Sequence, residues 1–488
     1  MEYEKLTGRT VLTCPEKEIT RANLIAIWKR LKPLFDENKT QSDYLYWYYR
    51  GKQPILDRVK KVRPEICNKV LENHANEIVS FKKGYSFGSP VQYIRRAMTE
   101  ALSKTADAKR QKGLLKLNEM MATVDKESLD DELAEWMLIS GRGFRMTLPC
   151  EGNDDCPFEM DVLDPRYTEV VYHTGFGRKP VMSVQEVTVY DALSGKPKPI
   201  YCIYTPTRYF VLDGDEIKEE IANPLGMIPV VEYPANNARI GAFELVIGLL
   251  DTINTVASNR LDGLEQFIQA FMKFVNVRIT KEKFEELKEL GALMYESEPG
   301  NPAEVGILSA ELDQQQTQTL VDHLYQMALV ICGMPDRNGA NRTTGDTGQA
   351  VILRDGWSAA ETKAKEIEKC FKRSEKSSLR IMLHICGKRL GLKLSDIDIK
   401  CPRGSTDNLL TKTQGLQNLL EAGTAPEVAF PLVGLFSDPE QACKDSAQYL
   451  EKWKPQIKHT GETVVPGNDA VDADTTPANN KANPKEES

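Results

Sequence analysis

The stretch that decides the fold starts at residue 241 and reads GAFELVIGLLDTINTVASNRLDGLEQFIQAFMK up to residue 273. Apolar side chains recur along it at steps of three and four, the spacing of one face of an α-helix, and no proline interrupts it. This apolar row consists of Phe243, Val246, Leu250, Ile253, Ala257, Leu261, Leu264, Ile268 and Phe271. A helix over 241–273 would be about 50 Å long at 1.5 Å per residue.

A second helix follows after a short insertion. Residues 311–332 predict a helix of about 33 Å. Its apolar face consists of Leu320, Leu324, Met327 and Ile331. The insertion, 274–310, has strand patterns on either side of a short charged helix. Two long helices with a small module at one end make an elongated chain that buries little surface, so we expect them to pack against copies of themselves in a ring.

After the second helix, residues 333–348 lose the apolar period and become rich in glycine. Glycine lets a backbone approach phosphate closely, arginine adds charge, and amide and hydroxyl groups add hydrogen bonds. The candidate phosphate-contacting residues of this loop are Arg337, Asn338, Asn341, Arg342, Thr343 and Thr344. A flexible surface loop has the same composition, and only the position of this loop between two long helices favours a contact site.

Beyond the loop, residues 349–390 return to helical spacing. Gly356 and the capping-box pattern Ser358-Ala-Ala-Glu361 interrupt that spacing near its start. We therefore predict a kink near Gly356 and one long helix from 358 to about 389, closed by Gly387.

The chain on either side of this stretch mixes helices with strands. Helical spacing covers 18–38, 64–81, 97–127 and 129–138, and β-rich runs cover 144–148, 181–190, 200–204, 209–212 and 394–400. Asp213-Gly214 indicates a hairpin. The aromatic residues 44–49 fit a packing corner between helix and loop better than a base-stacking surface. Three short helices within 406–453, divided by Gly423, Pro431 and Asp438-Pro439, precede a tail that is too polar from Gly461 onward to fold.

Composition limits the functions that this chain can have. A formal charge of −8, from 63 basic and 71 acidic residues, does not favour a protein that coats nucleic acid, although it allows local basic patches. The 10 cysteines include no CxxC pair, which indicates buried reduced thiols and a cytosolic, reducing origin. No run approaches the ~20 apolar residues that span a membrane, and we expect neither a metal nor a cofactor, because Asp154-Asp155-Cys156 fits no ligand spacing.

One catalytic motif is formally present. Gly84-Tyr-Ser-Phe-Gly88 matches the GxSxG nucleophile elbow around Ser86, which requires a strand before the serine and a helix directly after it. Here a helical pattern precedes the serine, and Pro90 starts a strand pattern after it. The order is the reverse of the one that the chemistry needs, so we do not expect an enzyme.

The insertion also carries a dense run of charge. Its candidate partner-docking residues are Lys281, Lys283, Glu285, Glu286, Lys288 and Glu289. Alternating signs are typical of a solvated helix face, and on the sequence alone this interpretation is preferred over a docking surface.

Several motifs, in order along the chain, together resemble one family. They are Tyr48-Tyr-Arg-Gly-Lys-Gln-Pro-Ile-Leu-Asp-Arg58, Asn73 to Val79, Gly84 to Val91, Asp164-Pro165, Val171-Tyr172, Asn223 to Tyr233, Asn236-Asn237, Leu250 to Asn259 with Asp262, Glu265 and Phe267, and Thr344-Gly-Asp-Thr-Gly-Gln-Ala350. Over residues 15–455 the chain resembles the portal proteins of tailed bacteriophages, in the branch found in long-tailed phages of Gram-positive hosts.

The resemblance implies an α+β, mainly helical multidomain portal fold that assembles as a ring of about twelve subunits. Such a ring sits at one capsid vertex of the virion, after assembly in the bacterial host cytoplasm, and double-stranded DNA is packaged and ejected through it. The implied partners are the terminase large subunit, major capsid and scaffolding proteins, and a head-completion or adaptor protein, with no membrane and no cofactor. The loop residues from Arg337 to Thr344 would then contact DNA, and the charged insertion would dock the partners.

The same resemblance divides the chain into named parts. They are an N-terminal arm and helix (1–45), wing (46–240), first stem helix (241–273), clip (274–310), second stem helix (311–332), tunnel loop (333–348), long wing helix (349–390), crown (391–455) and acidic tail (456–488). Two alternatives stay open at this point. A serine hydrolase would use Ser86, and a virion scaffold or DNA-binding protein would have no channel.

Overall fold

The computed structural model describes residues 8–96, 104–150, 155–190, 195–268, 271–275, 304–308, 314–336, 356–403, 409–436 and 439–450. Within them, helices are combined with mainly antiparallel sheets, which is the predicted α+β class. The chain forms two compact units, Met1–Asn408 and Leu409–Ser488. In the described part, no helix is both long enough and apolar enough to cross a bilayer.

The first unit contains seven of the described helices. They are α1 (Leu24–Tyr49), α2 (His74–Phe87), α3 (Lys104–Thr123), α4 (Lys126–Ser140), α5 (Ile247–Ile268), α6 (Gln314–Cys332) and α7 (Trp357–Cys386). Its strands are β1 (Thr13–Cys14), β2 (Gln92–Arg95), β3 (Arg142–Pro149), β4 (Phe158–Leu163), β5 (Thr168–His173), β6 (Pro180–Tyr190), β7 (Pro197–Tyr204), β8 (Arg208–Asp213), β9 (Glu216–Ala222), β10 (Val230–Pro234), β11 (Phe271–Val275), β12 (Glu304–Leu308) and β13 (Ile397–Lys400).

These strands form four sheets. The largest has the order β1-β5-β6-β7-β8-β9, with β1 parallel to β5 and the other pairs antiparallel. The others are β10-β3-β4, β11-β12 and β13-β2, all antiparallel. The predicted strands at 144–148, 181–190, 200–204 and 209–212 correspond to β3, β6, β7 and β8. The Asp213-Gly214 hairpin is confirmed between β8 and β9, where Gly214 has a φ of 60°.

Helix α1 covers the six-stranded sheet. Its apolar row, Leu24, Ile27, Trp28, Leu31 and Phe35, is buried against Val184, Tyr201, Ile203, Phe210 and Leu212. The helix predicted at 18–38 is longer than expected, because it continues through Pro33 to Tyr49. Residues 44–49 therefore form its last turns and not a corner between helix and loop. They do pack as predicted, with Tyr46 stacked on Trp136 at 5.3 Å.

The helix predicted at 64–81 was placed too early. Helix α2 begins at His74, where the side chain of Asn73 accepts a hydrogen bond from the backbone N–H of Asn76. The backbone N–H groups of Asn68, Val70 and Glu72 bond to side chains of α5, so this stretch is extended and not helical. Residues 64–73 have helical apolar spacing in the sequence, but in the structure they run along α5 and form no helix.

Helix α7 is fixed to the body by a buried charge cluster on its inner side. The carboxylate of Glu375 lies 3.0 Å from Arg145 and 3.3 Å from Lys126, and it accepts hydrogen bonds of 2.7 Å from the hydroxyls of Tyr93 and Tyr233. Burial alone would raise the pKa of Glu375, but these cations and hydroxyls lower it below its ordinary range. The cluster joins α7 to α4, β2, β3 and β10.

The ends of α7 agree with most of the prediction. It starts directly after Gly356, whose φ is 82°, and ends before Gly387. The capping-box prediction was wrong, because Ser358 lies inside the first turn and Gly356 occupies the capping position. The φ of Gly356 is in the left-handed region, which glycine adopts without strain.

The second unit contains α8 (Leu409–Glu421), α9 (Pro426–Val433) and α10 (Pro439–Leu450), the three predicted short helices. Gly423 separates the first two with a φ of 84°. Pro431 lies inside α9 and separates nothing, contrary to the prediction. The predicted disorder of the acidic tail lies outside the described residues.

Candidate functional site

Helices α5 and α6 form an antiparallel hairpin. Near its base, the Cys332 Sγ at the end of α6 lies 3.5 Å from the carbonyl oxygen of Ala242. Farther along, Arg260 of α5 donates to the side-chain oxygen of Gln318 in α6 at 2.5 Å. The strands β11 and β12, which follow α5 and precede α6, pair with each other and continue the hairpin. The first stem helix is shorter than the predicted 241–273, because Phe271–Val275 pairs as a strand.

The base of the hairpin is buried in the body of the first unit. Val246, Leu250 and Ile253 of the α5 row and Ala328, Leu329 and Cys332 of α6 share a core with residues of α1, α2 and α4. Tyr48 of α1 stacks on Phe243 at 5.8 Å. The inward side of both helices at this end is therefore covered within one chain.

On the outward sides of both helices, apolar side chains of the hairpin are exposed. On α5, Leu261 and Leu264 are 39% and 45% exposed, and on α6, Val330 is 70% exposed. The exposed residues of α6 also include Leu320, Met327 and Ile331, three members of the predicted row. Several exposed apolar side chains on two adjacent helices indicate a contact with another molecule.

Residues 58–73, which form no helix or strand and include a turn at 63–66, run along another side of α5, and we call them the strap. Its backbone N–H groups at Asn68, Val70 and Glu72 donate to Asp262 (2.7 Å), Ser258 (2.9 Å) and Asn254 (2.8 Å). Two residues of extended chain advance about 6.6 Å and four residues of helix about 6 Å, so the alternate N–H groups stay in register with every fourth side chain of α5.

The outer end of this ladder is an ion-pair site. Asp262 accepts from Lys60 at 3.0 Å and lies 3.0 Å from Arg58. Burial alone would raise the pKa of Asp262, but the Asn68 N–H, Lys60 and Arg58 together lower it. In the sequence, Arg58 and Asp262 stand out only within motifs that resemble the portal family. The signal that would have found the ladder is the row of small polar residues four apart, Asn254, Ser258 and Asp262, beside the apolar row.

The predicted contact residues fall outside the described part of the chain. This holds for Arg337, Asn338, Asn341, Arg342, Thr343 and Thr344 in the loop, and for Lys281, Lys283, Glu285, Glu286, Lys288 and Glu289 in the insertion. The structure does describe the start of the loop, 333–336, and Gly356 beyond its far end. Gly333, at φ 67°, follows α6, and a Cβ on Gly356 would lie 3.6 Å from the Cα of Pro335. Pro335 and Gly356, on either side of the undescribed residues 337–355, therefore lie next to each other.

Ser86 has no nucleophile-elbow geometry. It lies in the last turn of α2, is buried, and borders a cavity of about 10 Å³. Among the described residues that line this cavity there is no histidine and no carboxylate. Within the described part of the chain, no cluster of His, Cys, Asp and Glu could hold a metal ion either. The ten cysteines carry free thiols; of the three in predicted helices, Cys332 and Cys386 are buried and Cys370 is partly exposed.

Comparison with known proteins supplies one family. The family model described as "Phage portal protein, SPP1 Gp6-like" matches residues 29–462. Comparison with curated proteins gives no match. Among solved structures, "Virion of native gene transfer agent (GTA) particle" is similar with a TM-score of 0.42 and 13% identity, over 74% of this chain and 89% of that one. "Neck of empty GTA particle computed with C6 symmetry" has the same score and identity, over 74% and 90%.

Proposed function

Because the chain belongs to the phage portal protein family, we propose that its α5–α6 hairpin closes a ring of identical subunits around a channel for double-stranded DNA. The function of the chain is that of a portal, the connector between head and tail of a phage particle. In this connector, the stem helices of neighbouring subunits would meet, the clip would face the partners, and the tunnel loop would contact DNA.

The observation that supports the ring is the exposed apolar surface of the hairpin. Leu264 and Val330 lie on helices whose bases are already buried in the body of the subunit, so a rearrangement within one chain does not cover them. Burying such surface contributes about 25 cal/mol per Å². If this surface contacts a different face of the next copy, repetition of that contact by rotation closes a ring.

The parts of the portal follow from this placement. We assign α5 and α6 to the stem, the segment between them with β11 and β12 to the clip, residues 333–348 to the tunnel loop, and the sheets with α7 to the wing. The crown is better begun at Leu409 than at residue 391, since β13 pairs with β2 of the first unit. The clip would dock the terminase large subunit during packaging and a head-completion or adaptor protein afterwards.

The tunnel loop would supply the weak contact with DNA. Affinity for DNA rises steeply with each phosphate that a protein neutralises, so a strongly basic channel would hold the DNA in place. Two arginines per subunit, Arg337 and Arg342, in a chain of charge −8 fit transient contacts that do not depend on sequence. A ring of about twelve subunits, seated among capsid and scaffolding proteins, remains part of this proposal.

Electron microscopy of the purified full-length chain tests the proposal directly. We expect closed rings with a central hole wide enough for a duplex, and one subunit number in most particles. Compact single subunits without a hole, at concentrations well above those used for imaging and in the presence of scaffolding protein, would exclude the channel.

A further inference from the structure

A groove on the outer side of α7 is lined almost entirely by cations. Its volume is about 510 Å³, and its lining residues are Lys369, Lys372, Arg373, Lys376, Ser377 and Arg380. Every lining residue is basic except one serine, so the groove offers no apolar anchor. Lys372 is neutralised by Glu368 at 2.5 Å. The other four cations have no ion pair with any residue that the structure describes.

These four cations form a straight row. Lys369, Arg373, Lys376 and Arg380 are spaced at four, three and four residues, which keeps them on one face of the helix over about 16 Å. All four are exposed. On the opposite side of the same turns, Glu375 is held in the buried cluster with Arg145 and Lys126. The row is therefore carried on a rigid element and does not depend on a mobile loop.

A second cavity adjoins the groove and adds cations from another element. It has a volume of about 560 Å³ and shares Arg373, Ser377 and Arg380 with the groove. Across it, the turn between β5 and β6 contributes Arg178 and Lys179, both exposed. The one carboxylate among its described lining residues is Glu232, which is bound to Arg239 at 2.6 Å. No acidic group there is left to neutralise the added cations.

We propose that this groove, defined by Lys369, Arg373, Lys376 and Arg380, binds the phosphate backbone of double-stranded DNA. The inference rests on the proposed function only in that a portal handles DNA, and it adds a contact outside the tunnel loop. These four cations, which have no ion pair among the described residues, repel one another unless a polyanion binds to them, although the whole chain has a charge of −8. The described lining of the groove itself carries charge and one hydroxyl and no apolar side chain, which fits phosphates better than an acidic peptide; apolar residues such as Met227 and Val230 line only the adjoining cavity.

The test is binding of a short fluorescent duplex to the full-length chain, measured by anisotropy over a range of NaCl concentrations. The variant carries Lys369→Ala, Arg373→Ala, Lys376→Ala and Arg380→Ala together. Each phosphate contact contributes about 0.9 to the slope of log affinity against log salt, so we expect the slope to fall by about 3 to 4. Duplexes of different sequence should give the same result.

The chain offers a matched control on the same helix. Lys363 and Lys365 are exposed but lie near Glu366 (3.5 Å) and Glu361 (3.4 Å), so Lys363→Ala with Lys365→Ala should leave the slope unchanged. A second variant, Lys369→Arg with Lys376→Arg, keeps the charge and should retain binding. This variant separates loss of charge from loss of folding. The thermal melt of each variant also shows whether it is folded.

Three outcomes would overturn the inference. An unchanged salt slope in the quadruple variant is the first, and displacement of the duplex by polyglutamate as effectively as by unlabelled DNA of equal charge is the second. The third is loss of ring formation in the quadruple variant with DNA binding intact, which would make the groove a subunit contact. Rings are scored separately by electron microscopy, so a wild-type chain that binds DNA without forming rings would contradict the proposed function and leave this inference standing.

Discussion

The two halves of helix α5 differ in whether their apolar side chains are covered. In the first half, Leu250 and Ile253 are buried in the core of the subunit, while Thr252 is exposed. In the second half, Ser258 and Asp262 are buried under the strap, and Leu261 and Leu264 are exposed. One unbroken apolar row is therefore buried in its first half and exposed in its second half. The period identifies the helix, but it does not say whether its own chain or another molecule covers the apolar side.

The strap explains why the second half does not turn its leucines inward. Rotation of α5 would break the hydrogen bonds from Asn68, Val70 and Glu72 and would leave those backbone N–H groups without acceptors. Each buried donor left unsatisfied costs about 1–3 kcal/mol. The strap thus fixes the rotation of the helix and keeps its apolar row available for a neighbouring subunit.

The largest expected effect comes from placing charge on the exposed face. Met327→Glu with Val330→Glu should abolish ring formation, because the assembled state would have to bury carboxylates without partners. The subunit should still fold, since both side chains are exposed in it. Light scattering after size-exclusion chromatography measures the assembly. Ile221→Glu on β9, an exposed apolar residue far along the chain from the hairpin, is the control, and loss of rings in both variants would contradict the assignment.

The next effect concerns the buried half. Leu250→Ala should lower the free energy of unfolding of the subunit by about 3 kcal/mol, because Leu250 is 1% exposed in a packed core. Chemical denaturation of the unassembled chain measures it. A change below about 1 kcal/mol would mean that the base of the hairpin is not a core of the isolated subunit.

The strap itself is tested at Asp262. Asp262→Ala removes the acceptor of the Asn68 N–H and the partner of Lys60 and Arg58, and should cost about 2–3 kcal/mol. Trypsin should then cut more rapidly after Lys60 and Lys61. Asp262→Asn keeps an acceptor without the charge. Its cleavage rate should lie between those of the original chain and Asp262→Ala. Equal cleavage rates in all three chains would show that the strap is held by other contacts.

Much of this architecture was predictable because the elements repeat over many residues. The long helices, the strands β3, β6, β7 and β8 and the three short helices of the second unit follow from periodicity and turn residues. The strap did not, because its hydrogen bonds join residues near 70 to residues near 258, and a local pattern carries no information on such a pair. The residues near 64–73 even imitate a helix.

The candidate site was predicted in outline for the same reason. The sequence placed an apolar row on each stem helix, and Leu320, Met327 and Ile331 of the second row are indeed uncovered in the subunit. It did not distinguish the buried half of α5 from the exposed half, since Leu250 and Leu264 occupy equivalent positions of one period. The basic row on α7 was missed because an exposed cation in a helix is ordinary until its neighbours are known to lack carboxylates.

The smallest expected change in the free energy of unfolding best tests whether the two halves of α5 differ in burial. Leu264→Ala should leave the free energy of unfolding of the isolated subunit within about 0.5 kcal/mol of the original, because Leu264 already lies 45% exposed. The same substitution as Leu250→Ala, on the same helix, would then have an effect several times smaller on folding. Its effect should appear in assembly instead, as a higher subunit concentration needed for rings, because every interface loses the same side chain. If Leu264→Ala destabilised the isolated subunit as much as Leu250→Ala, the distal half of α5 would be covered within one chain, and the hairpin would have no free face to offer a neighbour.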